Sequence, residues 1–209
     1  MPYRRRYRRK RSYKPRGSSG FNTASKALAT ASSALALAKM LKSLINVERK
    51  FKSILGNTSV SSSGTILSLC HTSQGDDHTS RNGRSVKADS LFMRGTVTVD
   101  SLANGSFVRQ IIFIDKQNSG VLPTIAQLLN STDHLAPINK NFGKRFRVIY
   151  DRTYNVNTDS RENAMFKIYR KLHQHIEYSG TTATGDGTGV NSGGVYMALI
   201  SNEATNTPT

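Results

Sequence analysis

The sequence predicts an antiparallel all-β domain preceded by a basic arm and a helix. Three observations carry that expectation. Residues 56–209 are rich in Thr, Val, Ile, Tyr and Phe, broken by clusters of Gly, Asn and Ser. Residues 21–55 contain neither Gly nor Pro and are dominated by Ala and Leu. Residues 1–16 hold nine Lys and Arg side chains and no acid. A length of 209 residues suits one domain with an extension, and a hydrophobic fraction of 36% is too high for a wholly disordered chain.

The body supplies six candidate strands: Thr65–His71, Val86–Val99, Phe107–Asp115, Arg145–Val156, Ala164–Tyr178 and Val195–Ser201. Apolar and polar side chains alternate in Gly95-Thr96-Val97-Thr98-Val99 and in Met165-Phe166-Lys167-Ile168-Tyr169-Arg170, as a strand with one buried face requires. Ala164–Tyr178 is long enough for two strands with a bend. Pro123–Asn130 has a short helical pattern with Ile125, Leu128 and Leu129 on one side, and Thr181–Gly194 reads as a mobile Gly-rich loop. Antiparallel strands in this number predict a sandwich or barrel over residues 56–209.

Charge divides the chain unevenly. The formal net charge is +17, yet residues 1–55 carry 15 basic groups and one acid, whereas residues 56–209 carry 15 basic and 12 acidic groups. Residues 1–20 are therefore expected to be a disordered Arg-rich arm, because nine like charges with little apolar surface cannot offset the entropy of ordering. Arg4, Arg5, Arg6, Arg8, Arg9, Lys10, Arg11, Lys14 and Arg16 are candidates for phosphate binding, since the guanidinium fork matches phosphate oxygens. Tyr3, Tyr7 and Tyr13 lie between them and offer rings for stacking on unpaired bases. The same block also fits a solvated tail or a nuclear-import signal.

Gly17-Ser18-Ser19-Gly20 reads as a flexible break. Residues 21–55 then read as an amphipathic helix or two in series, capped by Asn22, Thr23 or Ser25 and stopped by Gly56. Ala27, Leu28, Ala31, Leu35, Ala38 and Ile45 form one stripe; Leu37, Leu41, Leu44 and Phe51 form a second beside it. Packing between copies of the chain and docking on its own domain both suit such a helix.

Several classes of chemistry lack their residues. One cysteine, Cys70, excludes an internal disulfide framework and a Cys-rich zinc site. No apolar run approaches the length of a membrane-spanning helix, and no membrane partner is expected. No catalytic constellation is present, so no enzyme is expected. Asp76 and Asp77, with Glu48 and Asp186 as looser companions, are candidates for calcium between subunits, against the plainer expectation of solvated loop acids. His173 and His175, two apart on a strand, are expected to share a face as an exposed or interface pair, where protonation could tune subunit contacts. Cys70 and His71 are expected on opposite faces of a strand, Cys70 as a small buried hydrophobe.

From about Leu44 to Asn202 the chain resembles a known family. Glu48-Arg49-Lys50-Phe51, Gly75-Asp76-Asp77, Arg81-Asn82-Gly83, Val86-Lys87 and Leu91-Phe92-Met93-Arg94-Gly95-Thr96 carry the first part. Arg109–Asp115, Pro123–Asn130, Lys144–Asp151 and Asn191–Ser201 continue it in order. The series is similar to the jelly-roll capsid proteins of circular, Rep-encoding single-stranded DNA viruses, and equally to the coat protein of satellite tobacco necrosis virus. The resemblance implies an eight-stranded jelly roll, sixty copies in an icosahedral shell, and an arm that faces inward onto a single-stranded viral genome. It favours DNA over RNA. It implies a virion protein, and the basic block adds the expectation of entry into the host nucleus with the import machinery as a partner. The family also leads us to expect a further strand after Ser201–Thr209, or one supplied by the region around Ser53–Ser61, or an open edge inviting strand donation.

Two rival classes carry different marks. A cellular ribosomal or chromatin protein would spread its basic charge over the globular surface. An organellar enzyme behind a transit peptide matches the acid-free residues 1–47 but brings no active site.

Overall fold

The computed structural model describes residues 19–44, 49–103, 105–118, 120–180, 189–205 and 207–209. The chain divides into two compact units at Arg49/Lys50.

In the first unit, α1 runs Ser19–Leu44. It starts inside the expected flexible break, so Asn22, Thr23 and Ser25 are helical residues and not its cap. Its hydroxyls are satisfied locally: Thr30 Oγ1 donates to the Lys26 carbonyl at 2.9 Å, and Ser33 Oγ to the Thr30 carbonyl at 2.9 Å. That back-bonding lets Ser and Thr sit in a helix otherwise favoured by Ala and Leu. The helix does not reach Leu55. Residues 49–55 are extended or irregular, and Lys50 reaches Asn82 Oδ1 at 2.7 Å and the Asp77 carbonyl at 3.1 Å. The absence of Gly and Pro permitted a longer helix, and tertiary contact decided otherwise. The two apolar stripes lie side by side, with Leu41 about 40° around the axis from Ala27, and only their outer edges, Leu28 and Leu37, stand on opposite sides. Leu28, Leu35, Leu37, Met40 and Leu41 are all exposed, so α1 is apolar on both flanks and not amphipathic in the usual one-sided sense.

The second unit is mostly β. Its elements are β1 (Thr65–Ser68), β2 (Ser85–Thr98), β3 (Gly105–Asp115), α2 (Ile125–Leu128), β4 (Phe146–Asn157), β5 (Asn163–Tyr178), β6 (Val190–Ser192) and β7 (Gly194–Ser201). All six expected strands are present. β6 was not expected, and it shortens the Gly-rich loop, of which residues 181–188 lie outside the described residues together with Asp186. The strands form two antiparallel sheets, ordered β1-β7-β3-β4 and β2-β5-β6.

β3 is buried on both faces, which explains its run of Ile111-Ile112-Phe113-Ile114. Ile111 and Phe113 pack with Ile125, Leu128 and Leu129 of the α2 segment and with Tyr196, Ala198 and Ile200 of β7. Ile112 and Ile114 face the other way, into a cluster with Ile168, Leu172 and Ile176 of β5. A third cluster joins Val97, Val108, Tyr154, Val156 and Ala164. The four-stranded sheet is thus a middle layer, with the α2 segment on one side and the β2-β5-β6 sheet on the other. This is an all-β sandwich, as the alternation implied.

Two arginine–carboxylate pairs fix the layers, one on a buried carboxylate and one on an exposed carboxylate. Asp115, at the end of β3 and fully buried, receives Arg145 Nε at 2.9 Å and Nη2 at 2.7 Å. Arg109 grips Asp151 through Nε at 2.8 Å and Nη2 at 2.6 Å, while Nη1 donates to the carbonyls of His134 and Ala136. The second pair ties the loop after α2 onto the sheet.

β5 is one strand, with a bulge in place of the expected bend. Ala88 pairs with Gln174 and Ser90 with Lys171, so Asp89 alone faces Leu172 and His173. His173 takes a left-handed backbone conformation, φ 47°. Pairing at the other border of β2 begins where Thr98 exchanges both backbone bonds with Thr209, at 2.7 and 3.0 Å, and Val60 N–H donates to the Pro208 carbonyl at 2.8 Å. The region around Ser53–Ser61 forms no regular strand; Ser61 instead accepts from Ser201 N–H at 3.1 Å.

Candidate nucleic-acid interface

Every expected arm residue lies outside the described residues: Tyr3, Arg4, Arg5, Arg6, Tyr7, Arg8, Arg9, Lys10, Arg11, Tyr13, Lys14 and Arg16. The described surface begins with α1, whose apolar side chains are exposed, and continues with the body.

Among the described residues of this single chain, the acidic groups do not gather into a cation site. Asp77 is turned onto its own loop, where Oδ1 accepts from His78 N–H at 2.7 Å and lies 2.6 Å from His78 Nδ1. The His78 backbone N–H, then its ring, hold the Asp77 carboxyl below its ordinary range. Asp76 Oδ1 meets Asn82 Nδ2 at 3.5 Å, and the Lys50 ammonium sits against the Asp77 carbonyl and Asn82. A resident cation at this loop opposes a second one. Among the described residues, no three His, Cys, Asp or Glu side chains converge as metal ligands. Glu48 lies outside the described residues.

The histidine pair is exposed, as expected. Leu172 and Ile176 stay buried on either side of the bulge, and His173 and His175 both remain on the outer side of β5. His173 Nδ1 stands 3.9 Å from Asp89 Oδ1, and His175 pairs with Lys87. Cys70 and His71 lie beyond the end of β1, so opposite strand faces do not apply to them. Cys70 is nonetheless buried; Val195 N–H points at its Sγ from 3.3 Å, and burial pushes the thiol pKa up.

Arg81 is a basic residue that sequence patterns assign to the surface and the fold places inside. It is 3% exposed, lies over the Tyr178 ring at 4.3 Å, and donates through Nε to the Thr72 carbonyl at 3.2 Å and through Nη1 to the Gly83 carbonyl. Arg81, Arg109 and Arg145 therefore serve the fold, and are withdrawn from any count of phosphate-binding groups. No local signal marks them, because Tyr178, Asp151 and Asp115, which they respectively face, are distant in sequence.

What remains outside is a body of small net charge with exposed apolar groups: Phe51, Leu55, Phe92, Leu102, Phe107, Leu135, Met165 and Tyr169. Apolar exposure on this scale suits a protein whose surfaces meet other molecules.

The comparisons agree with that surface. The family model for the satellite tobacco necrosis virus coat protein matches residues 24–208. The capsid protein of Satellite tobacco necrosis virus 1 is 30% identical over 174 residues, covering 79% of this chain and 85% of that protein. A coat protein of Maize white line mosaic Satellite virus is 34% identical over 103 residues, covering 42% of this chain and 47% of that protein, so the chain spans about half of the latter's length. Of the two resemblances drawn from the sequence, these matches fall on the satellite-virus side, and they lend nothing to the circular DNA virus framing. With the model matching nearly the whole body and helix, the chain belongs to the satellite tobacco necrosis virus coat protein family.

Proposed function

We propose that this chain is a viral shell subunit whose β body tiles into a closed icosahedral particle and whose arm packages a single-stranded genome. The observation that carries it is the separation of charge. The first 55 residues hold half of all basic groups against one acid, while the body is nearly balanced and exposes apolar side chains. A molecule so divided uses its body for contacts between copies and its arm for a polyanion.

Jelly-roll wiring is part of the proposal. The order β1-β7-β3-β4 sets strands from both ends of the body beside one another, and that supports it. Packaging proceeds by counterion release, with a salt slope of about −0.7 per phosphate contact on a single strand and little demand on sequence. Sixty copies of residues 1–55, each of net +14, would bring about 840 charges, enough for a genome on the order of a thousand nucleotides. The arm's chemistry serves DNA and RNA alike. The preference for DNA came from the circular DNA virus resemblance and loses that support, and entry into the nucleus rests on the basic block of residues 1–16 alone.

Light scattering and negative-stain microscopy of the purified chain test the proposal. Uniform closed particles that carry nucleic acid are the expected outcome, and nuclease typing then identifies the sugar. A chain that stays monomeric with nucleic acid present, also when extended at its C-terminus, would contradict it.

A further inference from the structure

The outer face of the β2–β5 ribbon sets three of the exposed apolar side chains, Phe92, Met165 and Tyr169, beside basic groups. Along β2, Leu91, Met93 and Val97 turn toward the core, which leaves Ser90, Phe92, Arg94 and Thr96 on the other face. Along β5, Ala164, Ile168 and Leu172 turn inward, which leaves Met165, Lys167, Tyr169 and Lys171 outward. The register then sets Phe92 opposite Tyr169, Arg94 opposite Lys167, and Ser90 opposite Lys171. Phe92 and Tyr169 are each 54% exposed, an unusual state for paired aromatic rings on a sheet.

The charges on this stretch are of one sign. Arg94 and Lys167 are like charges on directly opposed residues, an arrangement that destabilises a sheet. Neither they nor Lys171 enter an ion pair among the described residues. The nearest acids of the ribbon are Asp89, at the bulge beside His173, and Glu177, which receives Ser192 Oγ at 3.5 Å. Lys167 Nζ lies 5.9 Å from the Phe92 ring centroid, so one cation already borders the aromatic pair.

We propose that this face is a second binding surface for single-stranded nucleic acid, with bases stacked on Phe92 and Tyr169 and phosphates held by Arg94, Lys167 and Lys171. The proposal rests on the packaging function above and adds a place on the body to the arm. Charge complementarity selects the occupant. A second copy seated on the same face about a two-fold axis would bring Arg94, Lys167 and Lys171 against their own kind. A polyanion with flat bases relieves the like-charge pair and covers both rings, and stacking of this type is tolerant of sequence.

Ultraviolet cross-linking of the full chain to oligothymidylate of about 15 nucleotides, long enough to span one such site, followed by peptide mapping, tests it. Adducts are expected both in the arm, at Tyr3, Tyr7 or Tyr13, and in the peptides bearing Phe92 or Tyr169. Arm adducts alone would overturn this site and leave packaging intact. No adducts anywhere would overturn both. A paired measurement uses Phe92→Thr with Tyr169→Thr, which preserve strand propensity. Affinity is expected to fall about tenfold for each stacked base lost, with the melting temperature retained. Arg94→Gln with Lys167→Gln should lower the steepness of the salt slope by about 1.4. If the threonine variants change the oligomeric state and leave affinity untouched, the face is a protein contact and the proposal falls.

Discussion

Single residues decide more of this fold than their positions in the sequence suggest. Arg81, Arg109 and Arg145 look like surface charge, yet each bridges segments that meet only in the folded chain. Asp115 is fully buried and, among the described residues, pairs with Arg145, so Asp115→Ala leaves a half-buried guanidinium without its carboxylate. A loss of about 3–5 kcal/mol is expected, measured by urea unfolding. Tyr178 gives a test in pH. Its hydroxyl donates to the Cys70 carbonyl at 2.6 Å, and burial pushes its pKa up to about 12. A phenol whose folded pKa exceeds its unfolded value near 10 contributes stability that is whole below pH 10 and lost as pH rises toward 12. Stability should fall across that window by an amount on the order of 2 kcal/mol from this group. Tyr178→Phe should flatten part of that fall at a cost of about 1 kcal/mol at neutral pH. Buried tyrosines elsewhere keep the remainder, since burial also raises the Tyr154 and Tyr196 phenols.

Elements were legible where the signal is local and lost where it is not. Strand alternation is written every second residue, so β2, β3, β4, β5 and β7 could be located from composition and period alone. β6 has three residues and exists because Glu177 and Tyr178 pair with it, a contact no window of sequence contains. The excess length assigned to the helix has the same origin: Arg49–Leu55 has no breaker, but Lys50 is held by the loop at Asp77 and Asn82. The bulge in β5 could not be read either, since His173 is an ordinary strand residue until its backbone turns left-handed. His173→Gly should be neutral or stabilising by up to about 1 kcal/mol, and His173→Val destabilising, in thermal melts. Gly193 between β6 and β7 makes the opposite case. At φ 73°, a Cβ would collide with the His175 carbonyl oxygen, so Gly193→Ala should destabilise by more than about 1 kcal/mol.

At the scale of the molecule, the split between arm and body was legible in charge alone, because net charge needs no knowledge of contacts. The sandwich followed from strand count and alternation. The order of its strands did not, since pairing partners such as β1 with β7 stand far apart in the chain. The proposed arm site rests on sequence alone and lies outside the described residues, whereas the aromatic pair on the β2–β5 face depends on register. If the arm binds through its nine basic groups, the affinity of the full chain for single strands should fall with salt at a slope of about −6. The most direct test of the central claim compares particles of the full chain with those of a variant in which Arg4, Arg5, Arg6, Arg8, Arg9 and Arg11 are replaced by Gln. Absorbance at 260 against 280 nm across the sedimenting peak is read. A shell that packages through its arm predicts nucleic acid in the first peak and a severalfold loss in the second. Equal nucleic acid in both, or no particle from the full chain, would contradict it.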